Sequence, residues 1–437
     1  MDELKIEYPI YATKILTIAR RPYLLLSGGG GTSASGVKNQ LQLFELTNKT
    51  KIPQSVVVVS TDDTDTNGTI VKRNDAPMNM AVLNDNLVAV GLGHKTQIYK
   101  IEYEEPPEDG VGTSSAGRIR RRNNVNGQEN NKKNKSINLI RMAEISDDSM
   151  ANADCCPATR VAFTGTSSLI TGGTNVDIKI YNYIQSHGDP LKLLTSEKYE
   201  IPLSHSKEIR DLSIHKNLIA SISEDKQCHI WSISNDSFEK IWSLREQFFF
   251  EHKISIEPSK INDYSFMCAK WFETSRKNLY LITCSSPVQS RSTIPGSYIC
   301  LWKYDPNNSQ SKFTLMNSRN LKNEVGSAKI SSRAIYVENE RQLVAVGFTT
   351  GHVMVYSMPD FAPVFKYEPA DLRKSGVVTN VAIVKSFVIS TSYDNCIRVI
   401  DFDQNYSEFW RNNGKFLKII FLMILIASLR VLMVIYM

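Results

Sequence analysis

His205-Ser206-Lys207-Glu208-Ile209-Arg210-Asp211-Leu212-Ser213-Ile214-His215-Lys216-Asn217-Leu218-Ile219-Ala220-Ser221-Ile222-Ser223-Glu224-Asp225-Lys226-Gln227-Cys228-His229-Ile230-Trp231 is the stretch from which the fold can be read. Its centre, Leu218 to Ser223, is an apolar run ending in small residues. Glu224 to Gln227 reads as a tight polar turn, and His229-Ile230-Trp231 as a second strand that ends in an aromatic ring. The same pair recurs: Leu24–Ser27 with Gln40–Leu46, Leu87–Gly91 with Gln97–Tyr99, and Leu169–Gly173 with Ile178–Tyr181. Further on come Leu279–Thr283 with Ile299–Trp302, Leu343–Gly347 with Val353–Tyr356, and Phe387–Ser392 with Ile397–Ile400. The last two copies end 44 residues apart, and insertions account for the wider gaps. A period of about 40–45 residues with four strands per unit predicts an all-β, seven-bladed β-propeller.

The opening stretch resembles a WD repeat along its whole length, through His205, Ile209, Leu212, Ser221, Asp225 and Trp231. Ser390-Thr391-Ser392-Tyr393-Asp394-Asn395 with Ile400-Asp401 resembles another, and the other five copies are degenerate. In the complete copy, His205, Ser221 or Ser223, Asp225 and Trp231 are expected to hydrogen-bond within one blade, which is a structural role and not a catalytic one. Ile6–Ile18 alternates loosely and is expected to pair into the last blade, closing the ring.

At 437 residues with 42% hydrophobic content, the chain can bury a large core. Its net charge of +6 is mild, and much of the basic excess lies in Glu104–Ser136, which holds Arg118, Arg120, Arg121, Arg122, Lys132, Lys133 and Lys135. That insert is too polar to fold alone and reads as a solvated loop, with a localisation signal or an acidic partner as the alternative. No basic face is patterned for nucleic acid, so nucleic-acid binding is not expected. Ser60–Asp75 and Ser285–Ser297 read as surface loops. None of the seven cysteines (155, 156, 228, 268, 284, 300, 396) forms a Cys-x-x-Cys pair, which points to buried thiols in a reducing compartment. Met1–Tyr11 is charged and carries no long apolar run, so no signal peptide is expected.

Two stretches stand apart from the repeats. The first is Gly28-Gly29-Gly30-Gly31, followed by a polar loop to Asn39. Gly31 and Gly36 have the spacing of a phosphate loop, but Val37 stands where lysine must follow. Gln40-Leu41-Gln42-Leu43 alternates as a strand where a helix is needed, so the chain is expected to bind no nucleotide itself. The second stretch is Ile419–Met437, 19 residues with twelve Ile, Leu, Phe or Val. These favour insertion by about 4 to 7 kcal/mol, against about 3 for Arg430. A helix of this length spans roughly 28 Å, a match to the endoplasmic reticulum bilayer. Arg411, Lys415 and Lys418 flank its start, which keeps the large domain cytosolic. The expected organisation is a propeller over residues 1–408, a linker over 409–418 and a single C-terminal transmembrane helix over 419–437.

This combination resembles the prolactin regulatory element-binding proteins and their fungal Sec-twelve-like relatives. The matching residues are Tyr8-Pro9, Tyr11-Ala12 and Lys14, then Gly28–Gly31, Gly36-Val37-Lys38-Asn39 and Leu41, followed by degenerate blades and an anchor. The chain stops at Met437, so the lumenal domain some relatives carry is not expected. The resemblance implies a guanine nucleotide exchange factor, without bond chemistry of its own, for the Sar-type small GTPase. It implies residence in the endoplasmic reticulum membrane and a role in starting COPII coat assembly for transport to the Golgi. The partner would be met in its GDP-bound and nucleotide-free forms, with the bilayer engaged through Ile419–Met437. Gly36, Val37, Lys38 and Asn39 are implied to contact the GTPase, with Asn39 making the decisive polar contact. A potassium ion is implied among carbonyls and hydroxyls of Gly28, Gly29, Gly30, Gly31, Thr32 and Ser33. The competing readings are a membrane-anchored propeller scaffold, which only the loop separates from an exchange factor, and a nuclear DNA-binding regulator, which the anchor opposes. The scattered histidines suggest no catalytic triad or metal site.

Overall fold

The computed structural model describes residues 2–32, 36–46, 53–64, 70–72, 74–104, 136–146, 160–163, 168–173, 177–184, 192–193, 199–201, 204–234, 237–244, 264–288, 296–308, 312–371 and 376–402. Over these residues the chain is an all-β, seven-bladed propeller. All seven strand pairs read from the sequence are antiparallel neighbours, and they are the second and third strands of the blades. Blade 4 runs Ile209–His215, Leu218–Ser223, Cys228–Ser234 and Ser237–Leu244 from the axis outward. The first strands of successive blades pack side by side into a closed ring, Ile10–Ile18 of blade 1 touching Val378–Val384 of blade 7.

The second strands are apolar on both faces because both faces are covered. Every residue of Leu87–Leu92, Leu218–Ser223 and Leu343–Phe348 is buried. Each hydrophobic cluster lies between two adjacent blades, and together they run round the ring. One fully buried Leu, Ile or Val contributes about 1.5–3 kcal/mol, so the ring holds through its inter-blade seams. The cysteines at 228, 268, 284, 300 and 396 are free and buried in the first, second or third strands of their blades, while 155 and 156 lie outside the described residues.

Two expectations are corrected. The ring is closed by Asp2–Lys5, which pairs antiparallel with Cys396–Asp401 and completes blade 7. Ile10–Ile18 cannot serve, because blade 1 uses it as its own first strand beside Arg21–Gly28. Nor is Ser60–Asp75 only a surface loop: Thr61, Asp62 and Asn74 are buried, and Asp63–Thr64 pairs with Ile70–Lys72. Ser285 and Ser286 likewise belong to the strand Leu279–Pro287, and the rest of that expected loop lies in part outside the described residues. So do most of the basic insert and all of 403–437. Among the described residues, no helix is long and apolar enough to cross a membrane.

Candidate functional site

The glycine stretch begins inside the core. Gly28 ends the strand Arg21–Gly28, lying between Ile10 and Gln40. A Cβ at Gly28 would lie 2.0 Å from the Pro9 carbonyl oxygen and 2.6 Å from the Tyr8 ring. Tyr8 is itself buried, and its hydroxyl donates to Gln42 Oε1 at 2.8 Å. Tyr8-Pro9 and the first glycine therefore form one packing unit, which gives a physical reason for their occurring together. At Gly31 the backbone turns through φ +66°, the left-handed region that favours glycine. The chain after the loop is the strand Gln40–Glu45, not a helix.

The loop is tied down from beneath by Asn39, which is wholly buried. Its Oδ1 accepts the Gly31 N–H at 2.8 Å. Its Nδ2 donates to Asp62 Oδ1 at 2.9 Å, to the Asn74 carbonyl at 2.6 Å and to the Gly31 carbonyl at 3.3 Å. Its carbonyl accepts the Thr61 N–H at 3.0 Å. Asp62 Oδ1 also takes the Asn74 N–H at 2.8 Å, and Asn74 Nδ2 donates to the Thr61 carbonyl at 2.8 Å. From blade 2, Gln97 Nε2 donates to the same carbonyl at 3.2 Å, and its Oε1 accepts the Tyr99 hydroxyl at 2.7 Å. The loop of one blade is thus fastened to the segment entering the next. Asn39 was expected to touch a partner, but here its amide is spent inside the protein, holding the loop. Among the described loop residues, Thr32, Gly36 and Lys38 are exposed and Val37 is half-buried.

Two features of this knot bear on a cation. Asp62 is 3% exposed and makes no ion pair among the described residues, although buried carboxylates are ordinarily paired. Thr61 Oγ1 is buried with no hydrogen-bond partner. A buried carboxylate held only by N–H donors, an orphaned hydroxyl and glycine carbonyls are hard oxygen donors, the type that hard cations take. Ser33 lies outside the described residues. Beside the knot, Arg141 reaches Asp63 at 3.0 Å and also Glu144, while Lys95 reaches Glu144 at 2.8 Å. Burial opposes ionisation of Asp63 and Glu144, but these cations outweigh it and hold both carboxyls below their ordinary range.

In blade 4, the four residues singled out from the WD pattern form one chain of hydrogen bonds. Asp225 Oδ2 lies 2.9 Å from His205 Nδ1, and His205 Nε2 lies 2.8 Å from Ser221 Oγ. Ser221 Oγ also accepts the Trp231 Nε1–H at 2.8 Å. Because Asp225 can only accept, His205 carries its proton on Nδ1, and Ser221 donates to Nε2. The order Ser-His-Asp is that of a hydrolase triad, yet Ser221 is fully buried behind the tryptophan. Burial disfavours the Asp225 carboxylate, but the His205 hydrogen bond, with the amides of Ser206 and Gln227, overcomes this and lowers its pKa. Blade 5 keeps only the last link, Trp302 Nε1 to Thr283 Oγ1 at 2.9 Å. Blade 7 replaces the histidine by Arg398, which bonds Asp394, Ser392 and, across the closure, Glu3. Arg398 was missed; a lone arginine inside the apolar run Cys396–Ile400 was the available signal.

Ser221→Ala would leave His205 Nε2 and the Trp231 N–H buried without partners. Unfolding stability is expected to fall by about 2–4 kcal/mol, read from urea denaturation. A second prediction concerns acid. Burial, followed by the neighbouring His205 ring and the Lys240 charge, pushes His229 down to about 4. Unfolded, it protonates near its ordinary 6.5, so between these values the unfolded chain binds more protons. Stability should be level above about pH 6.5 and fall as the pH drops towards 4, with His215 and His352 shifted in the same direction. His229→Phe should flatten part of that slope in melts between pH 7 and 5.

No family model matches this chain, and no curated protein matches it.

Proposed function

We propose that this chain is a guanine nucleotide exchange factor for a Sar-type small GTPase, held in the endoplasmic reticulum membrane, where it starts COPII coat assembly. The observation that carries the reading is the Gly28–Asn39 loop, a glycine-rich segment fixed from below by Asn39, Asp62 and Asn74. Ordering so many glycines is entropically unfavourable, and a loop held against that tendency suits a wedge that meets another protein. An exchange factor binds the nucleotide-free GTPase more tightly than the loaded one, and linkage then loosens the nucleotide by the same factor. Thr32, Gly36, Val37 and Lys38 would meet the GTPase, with Asn39 positioning them.

A potassium ion would be held by the loop carbonyls with Thr61 and Asp62, and when bound it would neutralise the Asp62 charge. The 419–437 segment, outside the described residues, would supply the membrane anchor. The test is release of a fluorescent guanine nucleotide from purified Sar-type GTPase by the detergent-solubilised chain. Acceleration of tenfold or more supports the proposal. Binding of the GTPase with no change in release would favour the scaffold reading, and DNA binding without GTPase binding the regulator reading.

A further inference from the structure

We infer that an apolar patch across blades 7, 1 and 2, centred on Tyr393, is where an apolar face of the GTPase docks while the glycine loop acts on it. The inference rests on the exchange-factor reading above and adds an anchor and a footprint to it. The first strands of blades 1, 2, 4, 5 and 7 each carry one unpaired extra residue near their start: Tyr11, Met78, Arg210, Met267 and Thr379. Such bulges bend a strand and re-aim a side chain. The start of each first strand pairs with the end of the second, as Ile10 does with Gly28, so all five lie at the glycine-loop end. None of the five is fully buried. In blade 4 the position is polar and already engaged: Arg210 bonds Glu224 at 2.9 Å and reaches Met267 Sδ of blade 5 at 3.9 Å. In blades 1 and 2 it is held by a tyrosine and a methionine.

Blade 7 completes the patch. The turn between its second and third strands holds Tyr393 and is the counterpart of the glycine loop in blade 1. Tyr393 is 56% exposed, and its main-chain N–H donates at 2.9 Å to the carbonyl of Val377, itself 41% exposed. The Tyr393 and Tyr11 ring centroids lie 6.0 Å apart, which carries the surface from blade 7 to blade 1. Ser27, at the foot of the glycine loop, donates to the Pro77 carbonyl at 2.8 Å, which ties blade 1 to the start of the Met78 strand. A Cβ at Gly31 would lie 3.8 Å from that of Ala76, so the loop rises from the edge of the same patch. The occupant is the GTPase because the patch is continuous with the loop read as acting on it. Charged residues flanking it in the chain carry both signs, Glu7, Lys14, Lys38 and Asp75, and Asp394 is bonded to Arg398 at 2.8 Å. No field of one sign selects the partner, and an exposed tyrosine packed on a second ring has the character of an interface anchor.

The experiment measures binding of the detergent-solubilised full chain to nucleotide-free Sar-type GTPase, and nucleotide release as a function of chain concentration. Tyr393→Ala is expected to weaken binding on the order of 10-fold. It should raise the chain concentration needed for half-maximal release by a similar factor, rather than lower the maximal rate as loss of the loop would. Tyr393→Phe, which keeps the ring, should restore binding. The Tyr393 to Val377 hydrogen bond is made by main chain and survives either substitution, and urea melts check that the fold does too. Met316 and Val58, each 53% exposed on the outer strands of blades 5 and 1, supply the controls: Met316→Ala and Val58→Ser should bind as the unaltered chain does. Unchanged binding by Tyr393→Ala, or an equal loss in either control, would overturn the inference. If the chain binds the GTPase without releasing nucleotide, the exchange reading fails while the effect of Tyr393→Ala on binding still decides the docking surface. No binding of the GTPase at all removes both.

Discussion

Asn39→Ala is expected to slow nucleotide release from a Sar-type GTPase on the order of 10²-fold while the seven blades stay folded. Alanine removes the acceptor of the Gly31 N–H and the donor shared by Asp62 and the Asn74 and Gly31 carbonyls. The Asp62 carboxylate would then be buried with only main-chain N–H donors, the Asn74 N–H at 2.8 Å and the residue-39 N–H at 3.4 Å. Stranding buried polar groups, one of them charged, costs about 2–4 kcal/mol in the loop's working conformation. At about 1.4 kcal/mol per factor of ten, the competent loop becomes a minor state and the rate falls with its population. Asn39→Asp should be at least as damaging, since it sets a second carboxylate against Asp62. Release kinetics with circular dichroism separate the loop effect from unfolding, and normal release by Asn39→Ala would sink the proposal.

Removal of Met1–Lys5 is expected to lower unfolding stability by about 3–5 kcal/mol and to promote association. Four residue pairs of the ladder, Asp2 with Val399 through Lys5 with Cys396, disappear, each hydrogen bond contributing about 1 kcal/mol. Leu4 leaves the seam between blades 7 and 1, and Arg398 loses Glu3 at 3.2 Å. The strand Cys396–Asp401 becomes an open edge, which invites pairing with another chain. Urea melts and gel filtration give the readout, and a peptide of residues 1–9 added in trans should restore part of the loss. An unchanged melt would mean that the closing strand adds nothing.

How legible this molecule was in its sequence depended on what each residue faces. The second and third strands announced themselves because burial on both faces forces runs such as Leu87–Leu92 and Leu343–Phe348. The blade 4 hydrogen-bond chain was legible because His205, Ser221, Asp225 and Trp231 lie within one repeat. The partners of Asn39 were not: Asp62 and Asn74 lie 23 and 35 residues away, in a polar stretch that composition alone assigns to solvent. The closing strand was misplaced by a few residues because Asp2–Lys5 is mostly polar on an outer position, whereas Ile10–Ile18 has the stronger apolar pattern and is claimed by its own blade.

The closure also sets a timetable. Glu3 and Arg398 are 395 residues apart, so the contact that seals the ring is among the most non-local the chain makes. Translation at about 5–20 residues per second leaves the first strand waiting roughly 20–80 s for its partner. During that interval the early blades can pair internally while the ring stays open, with unsealed strand edges a target for holding factors. Native-state lifetime should therefore track the rate at which the first strand peels away, rather than the strength of any single blade.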